Sequence, residues 1–112
     1  MCIRDSFWAA YCPPCIEETP SLEQLQQRMR DKGVVVLGVS SDLDADSYHK
    51  FLKYYGIDFV TVREGDTKTA NAYGTLKIPE TYIIDRSGVI RRKFISSVDW
   101  SDPEVVKFLS KL

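Results

Sequence analysis

The sequence has little of what several common functions require. Its 112 residues contain one histidine and three cysteines, which leaves few ligands for a structural zinc site. Neither sign of charge dominates, because 15 basic residues are interspersed with 16 acidic ones. The longest apolar run, residues 34–39, is far shorter than a membrane-spanning helix. These absences argue against a basic nucleic-acid-binding face and a transmembrane segment, and the length fits a single domain.

Two of the cysteines form the motif Cys12-Pro13-Pro14-Cys15, between the apolar residues 7–9 and a helical pattern. Cysteines at this spacing can close a small disulfide ring, and a helix N-terminus stabilises a thiolate. We therefore predict that Cys12 is the nucleophile and that Cys15 resolves its mixed disulfides. Pro13 and Pro14 are suited to a first helical turn, where amide donors have no intrahelical partner.

Two other interpretations of this pair are a zinc half-site and a pair of buried structural thiols. Zinc needs two further ligands, and the chain offers only Cys2 and His49, which are not at zinc-finger spacing. His49 falls on the polar side of a predicted helix, where we expect it to face solvent. Redox chemistry is the interpretation that the pattern favours.

Periodicity and turn residues predict an alternation of strands and helices. The first half of the chain is predicted to form a helix at 13–30 that contains Pro20 and ends at Gly33, a buried strand at 34–40, and a helix capped by Asp42 or Asp44 and ended by Gly56. The second half is predicted to form a strand at 57–62, a helix at 67–73, and strands at 82–84 and 89–95 around a turn. Asp102 is predicted to open a last helix, with Ser101 and Glu104 as a capping box. Strands joined through helices are expected to run parallel with right-handed crossovers, and the final hairpin is expected to add antiparallel strands. The predicted fold class is a three-layer α/β sandwich.

The motif and its surroundings resemble a known family. Residues 7–9, the Cys-Pro-Pro-Cys pair, and Pro20 five positions after Cys15 resemble the thioredoxin fold. The Pro-Pro dipeptide and the additional helix-strand unit resemble the TlpA/ResA-like branch of thiol-disulfide oxidoreductases. This resemblance implies a mixed central sheet between helical layers, with an inserted helix-strand unit, over residues 7–112.

Residues 1–6 do not fit that pattern, because the adjacent charges of Arg4 and Asp5 stand where a buried strand should be apolar. We expect them to be a truncated or non-native leader before a domain at 7–112. The resemblance implies a longer native protein, located on the extracytoplasmic side of a bacterial membrane and held there by an N-terminal anchor.

The resemblance also implies a substrate-binding surface around the cysteines. It implies a cis bond between Ile78 and Pro79, lying against the pair, so that the backbone of Ile78 can bind an extended substrate. Trp8 is expected inside and Tyr11 at the rim, with Pro13 also in contact with the substrate.

Glu18 lies where ResA-like proteins carry a glutamate near their cysteines, and Ser6 replaces a buried aspartate of thioredoxin itself. The spacing of Cys15 and Glu18 places both on one helix face. We therefore expect Glu18 to handle protons, although a glutamate that merely favours the helix dipole is the other interpretation.

The predicted function is reduction of protein disulfides by a Cys12-Cys15 dithiol without a further cofactor. The implied partners are a protein disulfide, with apocytochrome c among the substrates in cytochrome c maturation, and an upstream thiol donor; we expect a monomer that binds no nucleic acid. A cytoplasmic thioredoxin-like reductant and a non-enzymatic thioredoxin-fold binding module are the alternatives. Peroxidase activity is disfavoured, because the Pro-x-x-x-Thr-x-x-Cys setting of a peroxidatic cysteine is absent.

Overall fold

The backbone forms a mixed five-stranded sheet with helices on both faces. The computed structural model describes residues 2–75 and 77–111, with side chains described from Ser6 onward. In chain order the elements are β1 (Cys2–Trp8), α1 (Pro13–Met29), β2 (Val34–Ser40), α2 (Ala45–Tyr55), β3 (Val60–Arg63), α3 (Lys68–Tyr73), β4 (Glu80–Ile84), β5 (Ile90–Ile95) and α4 (Pro103–Ser110). A short 3-10 helix, Arg30–Lys32, extends α1 to Gly33.

The strand order is β3-β2-β1-β4-β5. β1, β2 and β3 run parallel, whereas β4 is antiparallel to β1 and β5 is antiparallel to β4. The motif of the two cysteines therefore follows the central strand, at the edge of the sheet where the parallel strands end.

The side chains of β2 are apolar on both faces of the sheet, and helices pack against each face. Val34 and Val36 pack with residues of α1 and α4 on one face, and Leu37 and Val39 pack with α3 on the other. A third cluster places α2 against Trp8, next to α1. The predicted three-layer sandwich is confirmed, as are the helix through Pro20, the central strand 34–40 and the Asp44 cap of α2.

Gly38 allows Trp8 to pack directly against β2. A Cβ atom on this glycine would lie 2.8 Å from Trp8 Nε1 and 2.9 Å from a ring carbon of Phe59. Both distances are too short for a carbon contact, so the absence of a side chain lets these two aromatic rings cover the strand.

The predicted mixed sheet is confirmed, because the final hairpin of β4 and β5 adds antiparallel strands to the parallel ones. Two predicted details are wrong. β3 begins at Val60, since the amides of Ile57 and Asp58 donate to Leu52 and Glu23 instead of entering the sheet.

The second correction concerns the start of α4. The Asp102 carboxylate accepts from the Glu104 amide at 3.0 Å, whereas the Ser101 hydroxyl donates to Asp99. Asp102 alone therefore caps this helix, without the predicted Ser101–Glu104 capping box.

The backbone of residues 2–6 belongs to β1 and pairs with β2 over its length and with β4 from residue 3. Pairing on both sides is a property of the backbone and tolerates the charges of Arg4 and Asp5 in the sequence. The interpretation of residues 1–6 as a truncated or non-native leader stays a prediction, and Met1 lies outside the described residues.

Candidate active site

Cys12 and Cys15 lie at the junction of β1 and α1 and are joined by a disulfide, with their Cα atoms 5.2 Å apart. Cys12 is the N-cap of α1, and its carbonyl oxygen accepts from the amide of Ile16. Pro13 and Pro14 occupy the first helical positions, where no amide donor is needed. The predicted disulfide ring at a helix N-terminus is confirmed.

The two cysteines differ in accessibility. Cys12 is 7% exposed and Cys15 is 2% exposed, so a partner reaches Cys12 first. The first turn of α1 contains no acidic residue, and the positive end of the helix dipole therefore favours a thiolate on Cys12. Accessibility and electrostatics both support Cys12 as the attacking sulfur.

The Ile78-Pro79 peptide lies against the cysteine pair, and its bond is cis, as predicted. The Sγ atom of Cys12 lies 3.8 Å from the carbonyl oxygen of Ile78. Ile78 packs against the same apolar cluster as both cysteines, and the carbonyl oxygen of the buried Pro79 accepts from the amide of Ser96. The chain segment before β4 therefore forms one wall of the site.

The aromatic residues of the motif take the predicted positions. Trp8 is buried and its ring centroid lies 4.7 Å from that of Phe51 in α2. Tyr11 is 71% exposed at the rim of the site. The inserted helix α2 thus contributes to the apolar cluster around the cysteines, which a minimal thioredoxin-like chain without this helix could not build in the same way.

Glu18 is buried and shares a small cavity with Cys15. The cavity, about 10 Å³, is near the minimum volume for one water molecule, and Ser6, Trp8 and Pro79 also line it. The Oε2 atom of Glu18 accepts from the amide of Val98 at 3.2 Å. The predicted placement of Glu18 on the same helix face as Cys15 is confirmed.

Ser6 is also buried beside this cavity, and its hydroxyl oxygen accepts from Thr81 Oγ1 at 3.2 Å. Of the described residues that line the cavity, Glu18 alone carries a carboxylate. Any proton transfer to or from a carboxylate within this cavity would therefore use Glu18.

The structure reveals one site residue that the sequence interpretation missed. The sequence pattern indicates only a helix-capping role for Asp42, but Asp44 caps α2 and Asp42 is buried under the loop before Cys12. Both Asp42 carboxylate oxygens lie 3.0 Å from the amide of Ala10, and the Ser40 hydroxyl donates to Oδ2 at 2.6 Å. The position of Asp42 just beyond the end of β2 was the available signal, because parallel strands β1 and β2 end at the same edge.

His49 is exposed on α2, as predicted, with its ring edge toward Tyr48. Within residues 2–75 and 77–111, no group of three or more histidine, cysteine, aspartate or glutamate side chains is arranged to hold a metal ion. None of the helices in this described part is long and apolar enough to cross a membrane.

The sequence of the chain is similar to those of several thiol-disulfide oxidoreductases. The chain is 32% identical over 85 residues to the thiol-disulfide oxidoreductase ResA of Halalkalibacterium halodurans, a match that covers 76% of this chain and 48% of that protein. It is 28% identical over 85 residues to ResA of Bacillus subtilis, with the same coverage of both chains. The chain thus spans about half the length of these relatives.

Solved structures give the fold. The thioredoxin domain of a thiol-disulfide oxidoreductase from Bacteroides vulgatus matches with a TM-score of 0.83 and 26% identity, over 96% of this chain and 79% of that one. A thioredoxin family protein from Chlorobium tepidum, a thiol:disulfide interchange protein, matches with a TM-score of 0.83 and 24% identity, over 97% and 79%. The AhpC/TSA family model matches residues 6–93, most of the chain from the end of β1 into β5. This thioredoxin-fold chain therefore belongs to the AhpC/TSA family.

Proposed function

We propose that this chain is a thiol-disulfide oxidoreductase that reduces disulfides in other proteins. The observation that carries the proposal is the Cys12-Cys15 disulfide at the N-terminus of α1, with the more accessible sulfur outermost. The names of the ResA relatives support the same reaction class. No cofactor beyond the cysteine pair is invoked.

The reaction balances over two exchange steps. The thiolate of Cys12 attacks a substrate disulfide, forming a Cys12–substrate disulfide and releasing one substrate sulfur as a thiolate that takes up a proton. Cys15 then loses its proton and attacks the Cys12 sulfur, which closes the Cys12-Cys15 disulfide and releases the second substrate thiol. Two electrons pass to the substrate, and an external dithiol donor must reduce the pair again.

Residues around the pair are suited to bind the substrate during these steps. The carbonyl group of Ile78 lies beside Cys12 and can accept a backbone hydrogen bond from an extended segment. Pro13 and Tyr11 are exposed at the opening, while the buried Trp8 supports the motif from beneath. We assign Ile78, Pro79, Pro13 and Tyr11 to substrate contact, and Trp8 to the floor of the site.

The physiological setting follows from the family resemblance. We propose that the protein acts as a monomer on the extracytoplasmic side of a bacterial membrane, in the maturation of c-type cytochromes. Its substrate there would be apocytochrome c with its haem-attachment cysteines oxidised, and an upstream thiol protein would supply the electrons.

Thiol counting tests the proposal directly. The reduced protein, freed of excess reductant, is mixed with a peptide that contains one disulfide, and separately with an oxidised apocytochrome c. We expect two substrate thiols to appear for each Cys12-Cys15 disulfide formed. Peptide binding without electron transfer would instead identify a binding module, and rapid turnover of hydrogen peroxide would identify a peroxidase.

We also propose that Glu18 accepts the proton of Cys15 when the mixed disulfide is resolved. A thiol that is 2% exposed does not ionise readily near neutral pH, and resolution requires its thiolate. The carboxylate of Glu18 lines the same small cavity, in which one water molecule can connect the two groups. Its negative charge also opposes thiolate formation in the free dithiol.

Glu18→Gln is therefore expected to slow resolution of the mixed disulfide by about 100-fold, the lower end of the range for lost acid-base catalysis. The same substitution is expected to lower the pKa of the cysteine thiols, because a nearby negative charge is removed. Stopped-flow measurement of mixed-disulfide decay gives the first quantity, and the pH dependence of alkylation gives the second.

Glu17→Gln is the matched control, because Glu17 is exposed on the same helix and the change in charge is identical. The control is expected to retain the wild-type resolution rate. If Glu18→Gln leaves both the resolution rate and the pH profile at wild-type values, Glu18 only supports the start of the helix and the amide of Val98.

A further inference from the structure

An open groove of about 770 Å³ runs beside the cysteine motif, between the start of α1 and the exposed side of α2. Its apolar lining consists of Ala10, Ile16, Phe51, Tyr54 and Tyr55. Tyr54 is 81% exposed, and its ring meets that of Tyr55 edge to face at a centroid distance of 4.8 Å, so the two rings form one aromatic surface beside the motif. A bound segment could cover this ring and the groove floor together.

The floor of this groove is continuous with the reactive sulfurs. Phe51 belongs to the same buried cluster as Cys12 and Cys15, and Ala10 and Ile16 pack against that cluster. A polypeptide segment in the groove would therefore lie next to its own disulfide when that disulfide reaches Cys12. This continuity makes the groove a place for the substrate rather than for an unrelated ligand.

The charged residues in the lining are both basic, Lys50 and Lys53. Both are exposed, and neither forms an ion pair within the part of the chain that the structure describes. Asp46 stands one helical turn before Lys50 but does not line the groove. The carboxylate of Asp44 accepts from the Ser47 hydroxyl and the Asp46 amide, which lower its pKa, and the positive charge of Lys50 lowers it further.

The surface on the other side of Ala10 differs in charge. A second groove, of about 580 Å³, has Asp42 and Asp44 in its lining. Arg63 lies beside this groove and donates to the carbonyl oxygens of Asp42 and Leu43, so its positive charge offsets part of the acidic character. A substrate with carboxylates is therefore expected to prefer the groove that contains Lys50 and Lys53.

We propose that the groove between α1 and α2 docks a substrate segment that carries an aromatic or aliphatic side chain and adjacent carboxylates, next to the disulfide to be reduced. The apolar side chain would lie on Phe51 and Tyr54, and the carboxylates would pair with Lys50 and Lys53. This inference rests on the proposed reductase function, and it defines the substrate class that the same site prefers.

Three disulfide peptides with the same aromatic residue test the proposal, with aspartate, serine or lysine as the flanking residues. The wild-type protein is expected to reduce the acidic peptide with a kcat/KM about 5- to 10-fold above that for the basic one at low salt, mainly through KM. Lys50→Glu with Lys53→Glu should reverse this order. High salt should reduce the preference in both proteins.

The matched control reverses two charges elsewhere, at Lys32 and Lys107, which are exposed and distant in sequence from the groove. This control should keep the wild-type order of the three peptides. Tyr54→Ala should raise KM for all three peptides.

The outcomes separate this inference from the function on which it rests. Equal reduction of all three peptides by the wild type, or an order that survives reversal of both groove lysines, would overturn the docking proposal and leave the reductase function intact. Failure of the reduced wild type to reduce any disulfide would overturn both.

Discussion

Cys12→Ser is expected to abolish disulfide reduction, with a loss of roughly 1,000-fold or more, because the attacking sulfur is removed. A serine hydroxyl at the same place is not ionised near neutral pH and cannot attack a disulfide. The N-cap position and the greater exposure of Cys12 identify it, rather than Cys15, as that sulfur. The loss is measured as the rate of reduction of a peptide disulfide, monitored through the substrate thiols that are released.

In Cys15→Ser the reaction is expected to stop after the first exchange step. Cys12 can still attack, but no second thiol is present to release the substrate, so a covalent Cys12–substrate disulfide should accumulate. Intact mass spectrometry would detect this adduct in Cys15→Ser and not in Cys12→Ser.

Cys2→Ser provides the control, since Cys2 is the third cysteine of the chain and lies outside the motif. It is expected to keep wild-type activity. The assignment of roles would be wrong if the reduced protein were alkylated faster at Cys15 than at Cys12 near neutral pH, or if Cys12→Ser formed the trapped adduct instead.

The position of the cysteine pair at the start of α1 could be predicted from the sequence because the local motif determines much of this part of the fold. The cysteine pair, its prolines and the start of α1 are contiguous, so their geometry depends little on the rest of the chain. The same is true of β2, whose continuous apolar run from Val34 to Val39 indicates burial on both faces. Features that a few adjacent residues encode were therefore predicted with the correct element type and nearly correct bounds.

Contacts between distant residues could not be predicted in the same way. Glu18 and Val98 are 80 positions apart, and Asp42 and Ala10 are 32 positions apart, so each hydrogen bond depends on how the elements are arranged. The order of residue types along the chain does not by itself specify the distances between side chains that are far apart in sequence.

The buried position of Asp42 has a large expected energetic effect. Its carboxylate accepts from the Ala10 amide and the Ser40 hydroxyl, and all of these groups are shielded from solvent to a large extent. Asp42→Ala leaves both donors without this acceptor, at about 1 to 3 kcal/mol for each buried unsatisfied group. We therefore expect the free energy of unfolding to fall by about 2 to 6 kcal/mol, which denaturant titration can measure.

The matched comparison is Asp44→Ala, which removes an exposed cap of α2 and should lower the free energy of unfolding by only about 1 kcal/mol.

Asp42→Asn tests the role of the loop in the chemistry, because an amide oxygen can still accept one of the two hydrogen bonds while the negative charge is lost. We expect Asp42→Asn to lower the pKa of the Cys12 thiol, since Asp42 is bound to Ala10, two positions before Cys12, and its negative charge no longer opposes the thiolate. The pH dependence of Cys12 alkylation would show this shift. Equal destabilisation by Asp42→Ala and Asp44→Ala, together with an unchanged alkylation profile in Asp42→Asn, would mean that Asp42 neither anchors the loop nor influences the nucleophile.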